Sequence, residues 1–234
     1  MNGERKTAIL VGVLFIIGTV AGVFSVLITQ PVLATPDYLA QISANENPVI
    51  VGALLVLTMG LALALVPVLL FPILKKHNEA LALGYVVFRG ALEMACYLAM
   101  AICWFFLIQV SRETAAAGAS TAPYLQSLGA VFLNGNGSTN NILAIVFSLG
   151  ALLLYFLLYR SRLVPRWISV WGFIAILLHF STAFLMMFRI LDSDSATIIS
   201  LPILVQEMVM AIWLIVKGFN PTALTSAQRV QEVL

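Results

Sequence analysis

Residues 80–109 read ALALGYVVFRGALEMACYLAMAICWFFLIQ. At 1.5 Å per residue this run extends about 45 Å as a helix, longer than the ~30 Å hydrocarbon core of a bilayer. Apolar residues occupy every face of that helix, so it has no side suited to water. The only charges inside it are Arg89 and Glu93, four apart and close to its middle. Residues at i and i+4 share a helix face and can pair directly. Ionisable groups at such depth are costly, face the interior of a bundle, and mark a site.

Runs of the same kind recur along the chain. Of 234 residues, 62% are hydrophobic and 9% are charged, against about 25% charged in a soluble domain. The mean hydropathy is +1.04. The pattern predicts an all-α, polytopic transmembrane helix bundle with six spans, forming one domain over residues 1–234. The spans are expected near 8–28, 49–74, 80–109, 141–159, 167–188 and 198–217. The first run is too long for the h-region of a signal peptide and is read as a retained helix. Pro48, Pro165 and Pro202 fall near helix starts, whereas Pro67 and Pro72 fall inside the second span and are expected to kink or unwind it. Residues 111–140 form a long connection. Its part 121–133 is expected as a short interfacial helix, and the Asn/Gly-rich part 134–141 as a mobile turn.

Charge placement orients the bundle. Arg5, Lys6, Lys75, Lys76, Arg160, Arg162, Arg166, Lys217 and Arg229 fall on one side of a six-span chain, and only Arg112 and Arg189 on the other. The positive-inside rule then makes both termini cytoplasmic, in a multi-pass protein of the cell inner (plasma) membrane. The bilayer is the first partner, and Arg160, Arg162 and Arg166 are candidates for holding anionic lipid headgroups. A net charge of +2 with no basic patch excludes nucleic acid.

Counting residues inward from each span end places Arg89 about 13 Å, Glu93 about 20 Å, His179 about 18 Å and Glu207 about 15 Å into the membrane. These four are the candidate ligand-binding residues. As a functional site, Arg89 is fixed by Glu93 while Glu207 and His179 bind a small ligand or titrate, with His179 a candidate partner for a carboxylate; His179 also reads as a core histidine satisfied by a polar neighbour. As a structural device, the charges clamp one helix to another. A small-molecule or proton-linked binding, sensing or transport module and a structural or partner-binding subunit therefore both remain open.

Catalysis has little support. No GxSxG elbow is present, and His77 and His179 are the only histidines. No metal site and no cofactor are expected. The Met186, Met187, Met208 and Met210 thioethers read as core or lipid-facing filler, not copper ligands. Cys96 and Cys103 lie about 10 Å apart along one helix, too far for a disulfide. The GxxxG at Gly18–Gly22 permits close helix approach within the bundle.

Several stretches resemble a known family. They are residues 6–22, the Phe88-Arg89-Gly90-Ala91-Leu92-Glu93 segment, residues 157–172 with Pro165-Arg166-Trp167 at their centre, and residues 207–219. Together they are similar to the bacterial membrane proteins catalogued as domain of unknown function 4386. The resemblance covers nearly the whole chain. It implies a multi-span inner-membrane protein and carries no activity with it.

Overall fold

The computed structural model describes residues 3–116 and 122–224. Residues 117–121 of the long connection, and Arg229 of the basic set, lie outside that range. Among the described residues the bundle is built from α1 Gly3–Leu33, α2 Tyr38–Ala44, α3 Asn47–Leu74, α4 Glu79–Ala116, α5 Ala122–Ser161, α6 Arg166–Met187 and α7 Ser193–Val216. All except the short α2 are long and apolar enough to cross a membrane. The expected all-α six-span bundle is what forms, and the chain is an integral membrane protein.

The six long helices make a closed ring in chain order. Each packs on the next, and α1 returns to α7 to close it. Side chains such as Leu27, Leu54, Phe106 and Ile212 point outward and are more than half exposed, as the lipid-facing surface of a membrane bundle should be. Small residues set the ring's closest approaches. A Cβ on Gly18 would meet Leu63, one on Gly22 would meet Met59, and one on Gly12 would lie 2.5 Å from the Ala211 carbonyl oxygen. The GxxxG pair therefore seats α1 on α3, and Gly12 seats α1 on α7. Arg5 completes the closure by donating to the carbonyls of Leu214, Ile215 and Val216 at 3.0, 2.6 and 3.1 Å. The last carbonyls of a helix have no partner within it, so Arg5 caps α7 with a cation where the helix dipole is negative.

Local signals explain the other boundaries. Asn78 accepts from the Leu81 N–H at 3.0 Å to start α4. Asp192 accepts from the Ser195 N–H at 2.9 Å to start α7. Pro165 sits at the N-cap of α6. α3 stays helical through Pro67 and Pro72 to Leu74, so it does not unwind there. Pro202 lies inside α7 rather than at its start, because the Asp192 cap nucleates the helix well before the apolar run.

The largest correction concerns residues 122–141. No interfacial helix followed by a turn is found there. α5 runs unbroken through Asn134–Asn141 and is 40 residues long. Glycine and asparagine are weak helix formers, but tertiary contacts hold them here. Asn136 Nδ2 donates to the Met100 carbonyl at 3.2 Å. Phe132 packs on Phe106 with ring centroids 5.2 Å apart. Gly129 lets the helix approach Leu39 of α2, where an added Cβ would lie 3.0 Å from the leucine Cδ1. Ser111 Oγ of α4 donates to the Leu39 carbonyl at 2.8 Å and ties α2 to the same end.

At that end Arg112 donates through Nε and Nη2 to Glu46 at 2.9 and 2.6 Å. This fork holds the Glu46 carboxyl below the ordinary glutamate range. A depressed folded-state value gives stability above the unfolded value and loses it as pH falls through the folded one. The unfolding midpoint of wild type should therefore exceed that of Glu46→Gln at neutral pH, and the gap should close on acidification. The gap should be small and should shrink with salt, because the pair is exposed. A gap that persists unchanged at acid pH would show that the ion pair is not its source.

Candidate functional site

The quoted stretch hides a change of helix type. Between Val86 and Leu92, α4 widens into a π-helical turn, a rare feature found most often at functional sites. The Glu93 N–H donates to the Phe88 carbonyl, five residues back. Gly150 of α5 makes room for the bulge, since a Cβ there would stand 3.2–3.3 Å from Arg89 N, Arg89 Cβ and Phe88 Cβ.

From this turn Arg89 reaches across the axis of the ring. Its Nη1 lies 3.2 Å from Glu93 Oε2 and its Nη2 lies 3.0 Å from Glu207 Oε1 on α7. In ring order α4 and α7 stand opposite each other, so this ion pair crosses the bundle. Arg89 is 3% exposed and Glu93 1%, while Glu207 is 14% exposed. The guanidinium stacks 4.4 Å from the Phe147 ring centroid and lies 5.8 Å from that of Phe15. Tyr97 OH donates to Glu93 Oε1 at 3.1 Å. Tyr85 OH is buried one turn before Arg89 and has no hydrogen-bond partner among the described residues. With both carboxylates ionised the triad carries one net negative charge.

Next to the triad lies a second cross-ring tie. Tyr155 OH of α5 donates to Gln206 Oε1 at 2.6 Å, and Gln206 Nε2 donates to the Ile168 carbonyl of α6 at 3.0 Å. Tyr155 and Gln206 are both fully buried.

His179 does not join the carboxylates. Its Nδ1 lies 2.8 Å from Ser200 Oγ, and Ser200 Oγ donates to the Ala196 carbonyl at 2.7 Å. The edge of the Phe147 ring meets the imidazole, 5.4 Å between centroids. Phe147 thus stands between His179 and Arg89. His179 shares the depth of the acids, but its position around the helix gives it a serine, the core histidine with a polar neighbour that the sequence also allowed.

His179 and Ser200 line a cleft of about 300 Å³ between α5, α6 and α7, together with Asn140, Asn141, Thr182 and Thr197. Along α7 the lining residues Ser193, Thr197, Ser200 and Leu204 form a stripe at helical spacing. Glu207 is its next member, one turn further in. The cleft follows α7 for roughly 16 Å from Ser193 to Leu204.

The sequence brought forward Arg89, Glu93, His179 and Glu207, and three of the four meet. It missed Tyr85, Tyr97, Phe147, Tyr155 and Ser200. Tyr85, Arg89, Glu93 and Tyr97 recur every four residues on α4, and that repeat was the available signal.

A six-span ring closed around a buried ion triad defines a polytopic membrane protein with a polar axis. The model of the family described as domain of unknown function DUF4386 matches residues 10–218, and the chain belongs to that family. Comparisons with curated proteins and with solved structures give no match.

Proposed function

We propose that the chain is a small-molecule or proton-linked binding module whose site is the cleft of α5, α6 and α7, with Glu207 at its inner end. The observation that carries this reading is the row Ser193, Thr197 and Ser200 along the cleft wall of α7, which lies in line with Glu207, the least buried acid of the triad, with Leu204 between them. The parts divide the work. Glu93 and Arg89 are fully packed and fix the guanidinium. Glu207 shares that guanidinium and supplies the negative charge in excess of it. A proton or a small organic cation arriving at Glu207 neutralises the triad, and the hydroxyl of Tyr85 is a further donor beside it. His179 and Ser200 line the approach. By the positive-inside rule the cleft opens on the external side of the inner membrane, with both termini cytoplasmic.

A pure clamp is the competing reading, and the dense packing of Arg89 and Glu93 favours it for that pair. Cysteine accessibility separates the two. In a chain with Cys96 and Cys103 replaced by alanine, Thr197→Cys and Ser200→Cys should react with a membrane-impermeant thiol reagent added outside intact cells. Ile198→Cys, which faces lipid, should not, because a thiolate forms only where water reaches it. Tetramethylammonium should slow the Ser200→Cys reaction, and Glu207→Gln should remove that protection. If Thr197→Cys and Ser200→Cys are as inert as Ile198→Cys, the cleft is dry and the clamp alone remains.

A further inference from the structure

At the end of the bundle that carries residue 3 and residue 216, a second cavity of about 520 Å³ opens between the α5–α6 turn and the end of α7. Arg162, Arg166 and Lys217 line it, with Trp213. The three cations come from three segments: the turn, the first residue of α6 and the residue after α7. Among the described residues none of the three has an acidic partner within ion-pair distance. Arg166 instead stacks its guanidinium 4.9 Å from the Tyr159 ring centroid.

The walls are fixed by backbone. Arg162 adopts a left-handed conformation, with φ of 56°, unusual for a residue with a side chain. Its N–H donates to the Leu158 carbonyl at 3.0 Å. Gly218 adopts the same hand, with φ of 74°. The Asn220 N–H then donates to the Leu163 carbonyl at 2.9 Å and draws the segment after α7 against the turn. Left-handed turns thus stand on both walls. The N-terminus of α6 also borders the cavity and has no side-chain cap, so its first N–H groups and dipole add positive potential there. Trp213 packs edge-on against Trp167, 6.4 Å between centroids, the kind of aromatic pair found at headgroup depth in membranes.

We infer that this cavity binds a phosphate group, carried by an anionic lipid or free, held by Arg162, Arg166 and Lys217. Arginine forks match phosphate oxygens in geometry as well as charge. The sequence pointed to Arg160, Arg162 and Arg166. Arg160 does not line the cavity, and Lys217 takes the third corner. This site is independent of the cleft at Glu207.

Native mass spectrometry of the full chain, extracted into detergent with added phosphatidylglycerol or phosphatidylcholine, tests the inference. One phosphatidylglycerol should be retained in preference to phosphatidylcholine. Loss of each cation should weaken retention about fivefold, since a basic residue near an anionic surface contributes about that factor. The single variant Arg166→Gln and the triple Arg162→Gln/Arg166→Gln/Lys217→Gln give a graded series, so the single variant still reports if the triple folds poorly. Lys75→Gln/Lys76→Gln removes two charges from the same end without touching the cavity and should leave retention unchanged. In a parallel arm, inorganic phosphate at fixed ionic strength should raise the unfolding midpoint if the group is taken free. A rise seen with lipid alone assigns it to lipid, and both results require loss in Arg166→Gln. Equal retention of the two lipids together with no effect of phosphate overturns the inference. So does equal weakening by Lys75→Gln/Lys76→Gln, because the attraction would then be a property of the whole basic end.

Discussion

Arg89→Met should destabilise the chain by about 3–5 kcal/mol, the cost of stranding a buried charge by removing its partner. The loss falls at the upper end here because two carboxylates are stranded. Glu93 Oε2 and Glu207 Oε1 both lean on one guanidinium, at 3.2 and 3.0 Å, and no second cation stands within ion-pair distance of either among the described residues. An isolated Arg89–Glu93 pair would regain stability when both charges are removed together. The cross-ring geometry changes that expectation, because the double variant Arg89→Met/Glu93→Gln still leaves Glu207 alone. Recovery should require the triple variant Arg89→Met/Glu93→Gln/Glu207→Gln, which removes every charge while nearly keeping side-chain volume. Methionine also keeps an apolar contact with the Phe147 ring. Glu93→Gln by itself should be mild, since the amide still accepts from Tyr97 and Arg89 keeps Glu207. Thermal unfolding of detergent-extracted protein, followed by the surviving monodisperse peak, ranks the four variants. If the triple variant is no more stable than Arg89→Met, the three charges are not energetically coupled.

This cluster marks where the sequence stops being readable. Span number, helix type and the i,i+4 pairing of Arg89 with Glu93 follow from hydropathy and helix geometry, because both are local. Depth is readable too, since it is a residue count. Azimuth is not. Glu207, Gln206 and His179 have similar depths, but only packing decides that the first meets Arg89, the second Tyr155 and the third Ser200. The π turn is a second limit. At 3.6 residues per turn, a stripe spaced by four drifts around an α-helix. The wider turn at Val86–Leu92 reduces that drift and helps Tyr85, Arg89, Glu93 and Tyr97 stay on the inward side. Composition gives no warning of it, since Gly90 is the only residue there that departs from an ordinary helical run. The Asn/Gly segment of α5 failed for the opposite reason. Its local preference for a turn is real, but contacts to Met100, Phe106 and Leu39 outweigh it.

Gly172→Ala should be strongly damaging although it leaves every charge in place. An added Cβ would lie 2.4 Å from Tyr155 Cε1 and 2.6 Å from its Cδ1 and Cζ. These are atoms of a rigid ring with no exposed surface, so the ring as a whole must move. Movement breaks the 2.6 Å bond from Tyr155 OH to Gln206. It also disturbs the Gln206 bond to the Ile168 carbonyl, one turn from Gly172 on the same helix. The methyl thus overpacks the α5–α6 contact and releases the tie that joins both helices to α7. Overpacking costs about 1–3 kcal/mol, and a buried side-chain oxygen left without its donor costs a further 1–3 or so. Because Gln206 precedes Glu207, the same displacement should also loosen the Arg89–Glu207 bridge. Two companions separate sterics from hydrogen bonding. Tyr155→Phe keeps the ring and loses only the bond, so it should cost about 1–3 kcal/mol. Gly172→Ala/Tyr155→Leu removes the clash and should be more stable than Gly172→Ala, though not equal to wild type. If Tyr155→Leu fails to relieve Gly172→Ala in thermal unfolding, the two residues do not meet as described, and the packing of α5 on α6 must be redrawn.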